Sequence, residues 1–178
     1  MESFKLRIAQ PQDMNRIIAL YQAIIDDVTG KPWDVFWELG RRPAYEALED
    51  AIANGEMLLG ELEGEEELAA CVVINNNTAQ GYDQCDWLID AKPEEVMCIH
   101  LFCVNPKFSG RGLGLRFLEL MEDVARERGA KTFRLDVLPN NEPAQRLYKK
   151  AGYTDHGFYH LFYGEQLLTD FFLMEKVL

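Results

Sequence analysis

Apolar residues change their spacing several times along this chain, and each change marks a different element. From Phe4 to Ile8 apolar and basic residues alternate, the period of a half-buried strand. From Met14 the interval becomes three and four: Met14, Ile17, Ile18, Tyr21, Ile24, Ile25 and Val28 line one side of a helix. Pro11 and Asp13 suit its first turn, and Gly30-Lys31-Pro32 stops it. The stretch 33–54 predicts two short helices, the second closed by Gly55. Residues 57–62 and 68–74 flank the acidic turn Glu63-Gly64-Glu65-Glu66 and predict an antiparallel hairpin. Residues 75–90 are polar with little pattern, which predicts a loop.

A dense apolar strand, 96–104, comes next and runs into a turn with glycines at 110, 112 and 114. Leu113, Phe117, Leu120, Met121, Val124 and Arg128 then define an amphipathic helix that Gly129 ends. Residues 132–138 read as a strand. Asn141 caps a short helix with Pro143 in its first turn, Lys149 and Lys150 in its last, and Gly152 just beyond. Strands at 154–162 and 167–177, around a Tyr163-Gly164-Glu165 turn, finish the chain. The order predicts an α+β fold, a mixed sheet with helices packed on it. A chain of 178 residues fits one domain over 1–178.

Composition narrows the class. Hydrophobic residues at 48% and charged ones at 27% exclude wholesale disorder. No apolar run approaches a membrane span and the N-terminus lacks a signal pattern, so the expected setting is the cytoplasm, with no membrane partner. A net charge of −12 argues against nucleic acid as a partner. Residues 1–95 hold 20 acidic and 7 basic side chains, residues 96–178 hold 10 and 11, so an anionic ligand meets less repulsion in the second part and a cationic one favours the first. Cys71, Cys85, Cys98 and Cys103 form no CxxC pair and have no histidine at ligand spacing; reduced, mostly buried thiols and no metal are expected.

The glycine turn carries the chemistry. A strand that ends in glycines and feeds a helix leaves unpaired N–H groups converging on one spot, where the helix dipole adds positive potential suited to phosphate. Glycine serves there because a Cβ would hold a ligand off and because the turn visits positive φ. A Walker loop is absent, and a GxGxxG fingerprint fails in both registers, which put Leu115 or Phe117 at its last glycine. Asp136, about 20 residues downstream, has a ribose-binding acid's position but lacks that fingerprint.

Val104-x-Pro106-x-x-x-Gly110-Arg111-Gly112-Leu113-Gly114, followed after a helix and a strand by Asn141-x-x-Ala144-x-x-Leu147-Tyr148-x-x-x-Gly152-Tyr153, resembles the Gcn5-related N-acetyltransferase (GNAT) family. The resemblance is strong over 96–153 and looser over the rest. It implies the GNAT fold: a central, mostly antiparallel sheet with splayed strands and flanking helices. It also implies acetyl-CoA as co-substrate and no metal. The diphosphate would lie on Ser109, Gly110, Arg111, Gly112, Leu113 and Gly114, and the pantetheine arm along Phe102, Cys103 and Val104. Asn141, Ala144, Leu147 and Tyr148 are further cofactor contacts on the same grounds. Ser109 departs from the family, which usually has Gln or Arg there.

Acetyl transfer to an amine needs a neutral nucleophile, a stabilised oxyanion and a proton for the departing thiolate. The resemblance assigns the proton to Tyr148; a tyrosine packed under the sheet is the competing reading. The oxyanion would meet a backbone N–H near Phe102, where the strand bulges. His100, two residues earlier and on the same side by alternation, resembles a catalytic histidine of one family member, with Glu94, Glu95, a water chain or a purely structural histidine as alternatives. Trp33, Asp34, Trp37, Glu38 and Tyr82 are candidates for binding the acceptor, since aromatics with acids suit a cationic amine, although the tryptophans could equally be core. The expected acceptor is a small-molecule amine, with protein amino groups or a non-catalytic acyl-CoA sensor as alternatives, and a homodimer is an allowed assembly.

Overall fold

The structure, a computed structural model, describes residues 3–163 and 166–178. Gly164 and Glu165 of the expected Tyr163-Gly164-Glu165 turn lie outside the described residues. The chain gathers into two compact units, Met1–Ile74 with His100–Leu120, and Asn75–Ile99 with Met121–Leu178.

In the first unit β1 (Phe4–Ile8) pairs antiparallel with β2 (Met57–Leu62), and β2 with β3 (Ala70–Asn75), giving the order β1-β2-β3-β4. The fourth strand, β4 (Val96–Val104), has the bounds its apolar run predicts; His100 to Val104 belong to this unit. Helices α1 (Met14–Val28) and α2 (Tyr45–Ala53) bring Ile17, Leu20, Tyr21, Leu48 and Ile52 against Met57, Leu59, Cys71 and Cys103. Leu20, outside the predicted stripe, is buried, whereas Ile18 and Ile25 are only half-buried.

Two short helices were expected over 33–54, and one forms. Gly40 at φ +88 and Pro43 interrupt the segment, since proline lacks the donor and disfavours a helical residue before it. A bridge between Glu38 and Arg42 occupies the place instead. Helix α3 (Leu113–Glu127) starts in this unit, where Phe117 meets Phe4 edge-on at 5.9 Å and Phe102 at 5.9 Å between ring centres.

In the second unit the start of β4 pairs parallel with β5 (Thr132–Val137), Val96 opposite Thr132 and Cys98 opposite Arg134. Strand β7 (Gln166–Val177) pairs antiparallel with β5 and with β6 (Thr154–Tyr163), so the order is β4-β5-β7-β6. Antiparallel ladders therefore predominate in a mixed α+β fold. Tyr82, Val96, Cys98, Leu161, Phe171 and Leu173 form the core here. The expected loop at 75–90 contains one short 3-10 turn, Tyr82–Gln84. Helix α4 (Glu142–Lys150) is capped by Asn141, whose side-chain oxygen accepts from the Ala144 N–H at 3.3 Å. No described helix is long and apolar enough to cross a membrane.

Candidate functional site

In the first unit the site begins with a break in β4. Leu101 adopts φ +53, a left-handed conformation that costs an L-residue about 1 kcal/mol or more. Packing holds it there. Its side chain joins the α1–α2 core, and its carbonyl accepts the Tyr21 hydroxyl at 2.9 Å. Between His100 and Phe102 the backbone therefore leaves the regular pleat, so plain alternation does not relate their side chains.

Cys103 is buried with its Sγ 3.4 Å from that of Cys71, so what this residue offers a ligand is main chain. Burial, with Cys71 alongside, pushes its thiol well above the ordinary range.

After Val104 the side chain of Asn105 accepts from Lys107 N–H at 3.0 Å and donates to Leu68 O at 2.9 Å, pinning the start of the turn. A single 3-10 turn, Pro106–Phe108, leads to exposed Ser109. Gly110 and Gly112 then take φ +77 and +73. A Cβ built at either meets nothing within 4 Å, so the sign of φ demands glycine, and open space is left beside these amides. Arg111 is exposed and lies 5.2 Å over the Phe108 ring.

Arg116 N–H reaches Gly112 O at 3.3 Å, which makes Gly112 the residue that opens α3. The N–H groups of Leu113, Gly114 and Leu115 precede that ladder and have no partner within the helix. A 15-residue helix dipole points at the same place. Positive-φ glycines, clear space and a helix start are what a diphosphate requires, so the residues present fit coenzyme A.

The acceptor candidates Trp33, Asp34, Trp37 and Glu38 also fall in this unit. Trp37 packs edge-on to Tyr21 with ring centres 5.5 Å apart, and Trp33 sits 36% exposed. Asp34 accepts from Phe36 N–H at 2.8 Å and Gly30 N–H at 3.0 Å, bracing the turn. Glu38 is exposed.

In the second unit Asn141 is a helix cap, Ala144 and Leu147 are half-buried on α4, and Tyr148 is buried with its ring 5.5 Å from that of Tyr153. Tyr82 is also here and buried. Its hydroxyl donates to Asp136 at 2.7 Å, so this tyrosine and that carboxylate are engaged with each other. Burial pushes the Cys98 thiol up to about 12, with the Asp136 carboxylate adding to the effect.

Two residues were missed from the sequence, Leu101 and Tyr21. Nothing in a strand of uninterrupted apolar residues marks Leu101 as left-handed. Tyr21 carried a signal, because a tyrosine on a buried helix face needs a partner for its hydroxyl.

Residues 19–153 match the family model described as the Acetyltransferase (GNAT) family. Over 102 residues the chain is 31% identical to the uncharacterized N-acetyltransferase YesJ of Bacillus subtilis, a stretch that is 55% of this chain and 56% of that relative. A GNAT-family acetyltransferase from Streptococcus agalactiae superimposes with a TM-score of 0.76 at 24% identity, over 98% of this chain and 95% of that one. The protein yncA of Salmonella typhimurium, solved with its cofactor acetyl-CoA, does so with a TM-score of 0.61 at 20% identity, over 98% and 93%. At these identities the structural likeness speaks for the fold.

Proposed function

The chain belongs to the Acetyltransferase (GNAT) family, and from that premise we propose that it transfers the acetyl group of acetyl-CoA to the primary amine of a small molecule. The observation that carries this reading is the pair of positive-φ glycines, Gly110 and Gly112, opening a 15-residue helix directly after a strand. That turn offers main-chain donors to a diphosphate without a side chain in the way. Phe102, Cys103 and Val104 offer backbone to the pantetheine amides, and Asn141 and α4 supply further contacts. Acetyl-CoA, when bound, supplies an activated thioester.

The chain's own residues would then manage charge and protons. The amine nitrogen attacks the thioester carbon while the Phe102 N–H receives the developing oxyanion. The C–S bond breaks with its electron pair on sulfur, and Tyr148 O–H protonates that sulfur. The surplus proton of the amine passes to His100 or to water. Trp33, Asp34, Trp37 and Glu38 would draw in the amine as its cation by aromatic faces and carboxylates, and the cation would give one proton to water before its neutral nitrogen attacks; the net charge of −13 over residues 1–95 supports this choice.

Incubation with acetyl-CoA and a panel of amines, followed as thiol release, tests the proposal. Release that depends on a small amine is expected. Coenzyme A binding without release above background would make the protein a sensor, release with protein amino groups alone would move the acceptor, and no binding of coenzyme A by calorimetry would end the reading.

A further inference from the structure

We infer that Tyr21 is a positioning residue for the reaction: by hydrogen-bonding the Leu101 carbonyl it fixes the direction of the Phe102 N–H. The step is geometric. The Leu101 carbonyl and the Phe102 N–H belong to one peptide unit, and in a planar trans peptide the two point in opposite directions. Whatever clamps the oxygen therefore aims the N–H. Tyr21 clamps it at 2.9 Å from a fully buried position on α1.

The clamp acts at an irregular point within β4. Leu101 at φ +53 has left the β region, and a peptide next to a left-handed residue has lost the pleat that would set its orientation. The Tyr21 ring is in turn locked. Trp37 stands edge-on to it at 5.5 Å, and the α1 core surrounds it. Accepting a hydrogen bond at the carbonyl also polarises the amide, which strengthens its N–H as a donor. A hydroxyl more than one residue removed from the reacting atoms thus contributes to oxyanion stabilisation without touching substrate, and the Tyr21–Trp37 contact joins that role to the segment that holds the acceptor candidates.

This inference rests on the acetyl-transfer reading, and its test separates the two. Tyr21→Phe keeps the ring and deletes the donor. Thiol-release kinetics, coenzyme A affinity by calorimetry and the Phe102 amide resonance in 15N-labelled protein are compared with the unaltered chain. The expected result is a fall in kcat of roughly tenfold or more, coenzyme A affinity within twofold, and a displaced Phe102 amide resonance. A kcat within twofold of the unaltered protein, or an unmoved Phe102 resonance, overturns the inference.

Should Tyr21→Phe fail to fold, 3-fluorotyrosine placed at position 21 substitutes a stronger donor of similar volume. It should displace the Phe102 resonance while preserving the fold, and an unmoved resonance overturns the inference equally. If the unaltered protein neither binds coenzyme A nor releases thiol, the acetyl-transfer reading fails, whereas the amide resonance still reports whether Tyr21 controls this peptide.

Discussion

Arg134 and Glu175 stand opposite each other on β5 and β7, Nε to Oε1 at 3.0 Å, in the interior of the second unit. The carboxylate also accepts from Thr132 Oγ1 at 3.0 Å and from the Leu88 N–H. The guanidinium donates to Ile89 O at 3.0 Å and lies 4.4 Å over the Trp87 ring. One ion pair thus ties the 87–89 segment to the sheet. Because removing one partner strands a buried charge, Glu175→Gln should destabilise by about 3–5 kcal/mol, while a paired replacement by apolar residues should lose far less. Urea unfolding of the single and double variants checks this; a single variant within about 1 kcal/mol of the parent would refute it.

Gly112→Val places a β-branched residue at φ +73 and a side chain in the space beside the helix start. Coenzyme A affinity should fall at least about tenfold, or about 1.4 kcal/mol. Gly64→Val is the control, since Gly64 also has positive φ and open surroundings but lies in the β2–β3 turn. Its variant should lose stability and keep affinity. Equal affinities for Gly112→Val and the parent in calorimetry would contradict the cradle.

Tyr148→Phe is the third. The tyrosine is buried and its ring is packed at 5.5 Å against Tyr153, so loss of one oxygen should leave the packing intact. Turnover should drop by roughly 10²-fold, the scale of general-acid catalysis, with coenzyme A affinity unchanged. An unaltered kcat at saturating substrates would remove Tyr148 from the proton-donor role.

The parts legible in the sequence were those where local signals agree. An unbroken apolar run gave β4 its bounds, and the Asn141 cap, Pro143 and Gly152 gave α4, because caps and breakers act over a few residues. Gly110 and Gly112 were legible for the same reason. Leu101 was not, since its left-handed backbone is imposed by packing and by a hydroxyl 80 residues away. The 33–54 stretch misled because its aromatic residues imitate a helix period while Gly40 and Pro43 forbid one. The environment of Tyr82, an acceptor candidate from its sequence, was not legible either: its ring joins the core of the second unit and its hydroxyl donates to Asp136, a partner only the fold brings near.

The fourth prediction follows from a buried acid in the first unit. Asp13 accepts from both terminal nitrogens of Arg7, at 2.7 and 2.8 Å, and from the Gln10 N–H at 2.8 Å. The Arg7 hydrogen bonds, followed by that backbone bond, outweigh desolvation and hold the carboxyl at about 2, below its ordinary 3.8. A folded-state value below the unfolded one means that the unfolded chain binds the proton more readily. The stabilisation is therefore fully present above about pH 4 and disappears as pH falls through about 2. Asp13→Asn should lose stability near neutral pH and show a shallower decline between those limits in urea unfolding. Glu61, which the same Arg7 holds below the usual carboxylate range, stays in place and leaves a residual slope. Parallel stability curves for parent and variant across that window would show that the Arg7 contact does not favour the charged form of Asp13.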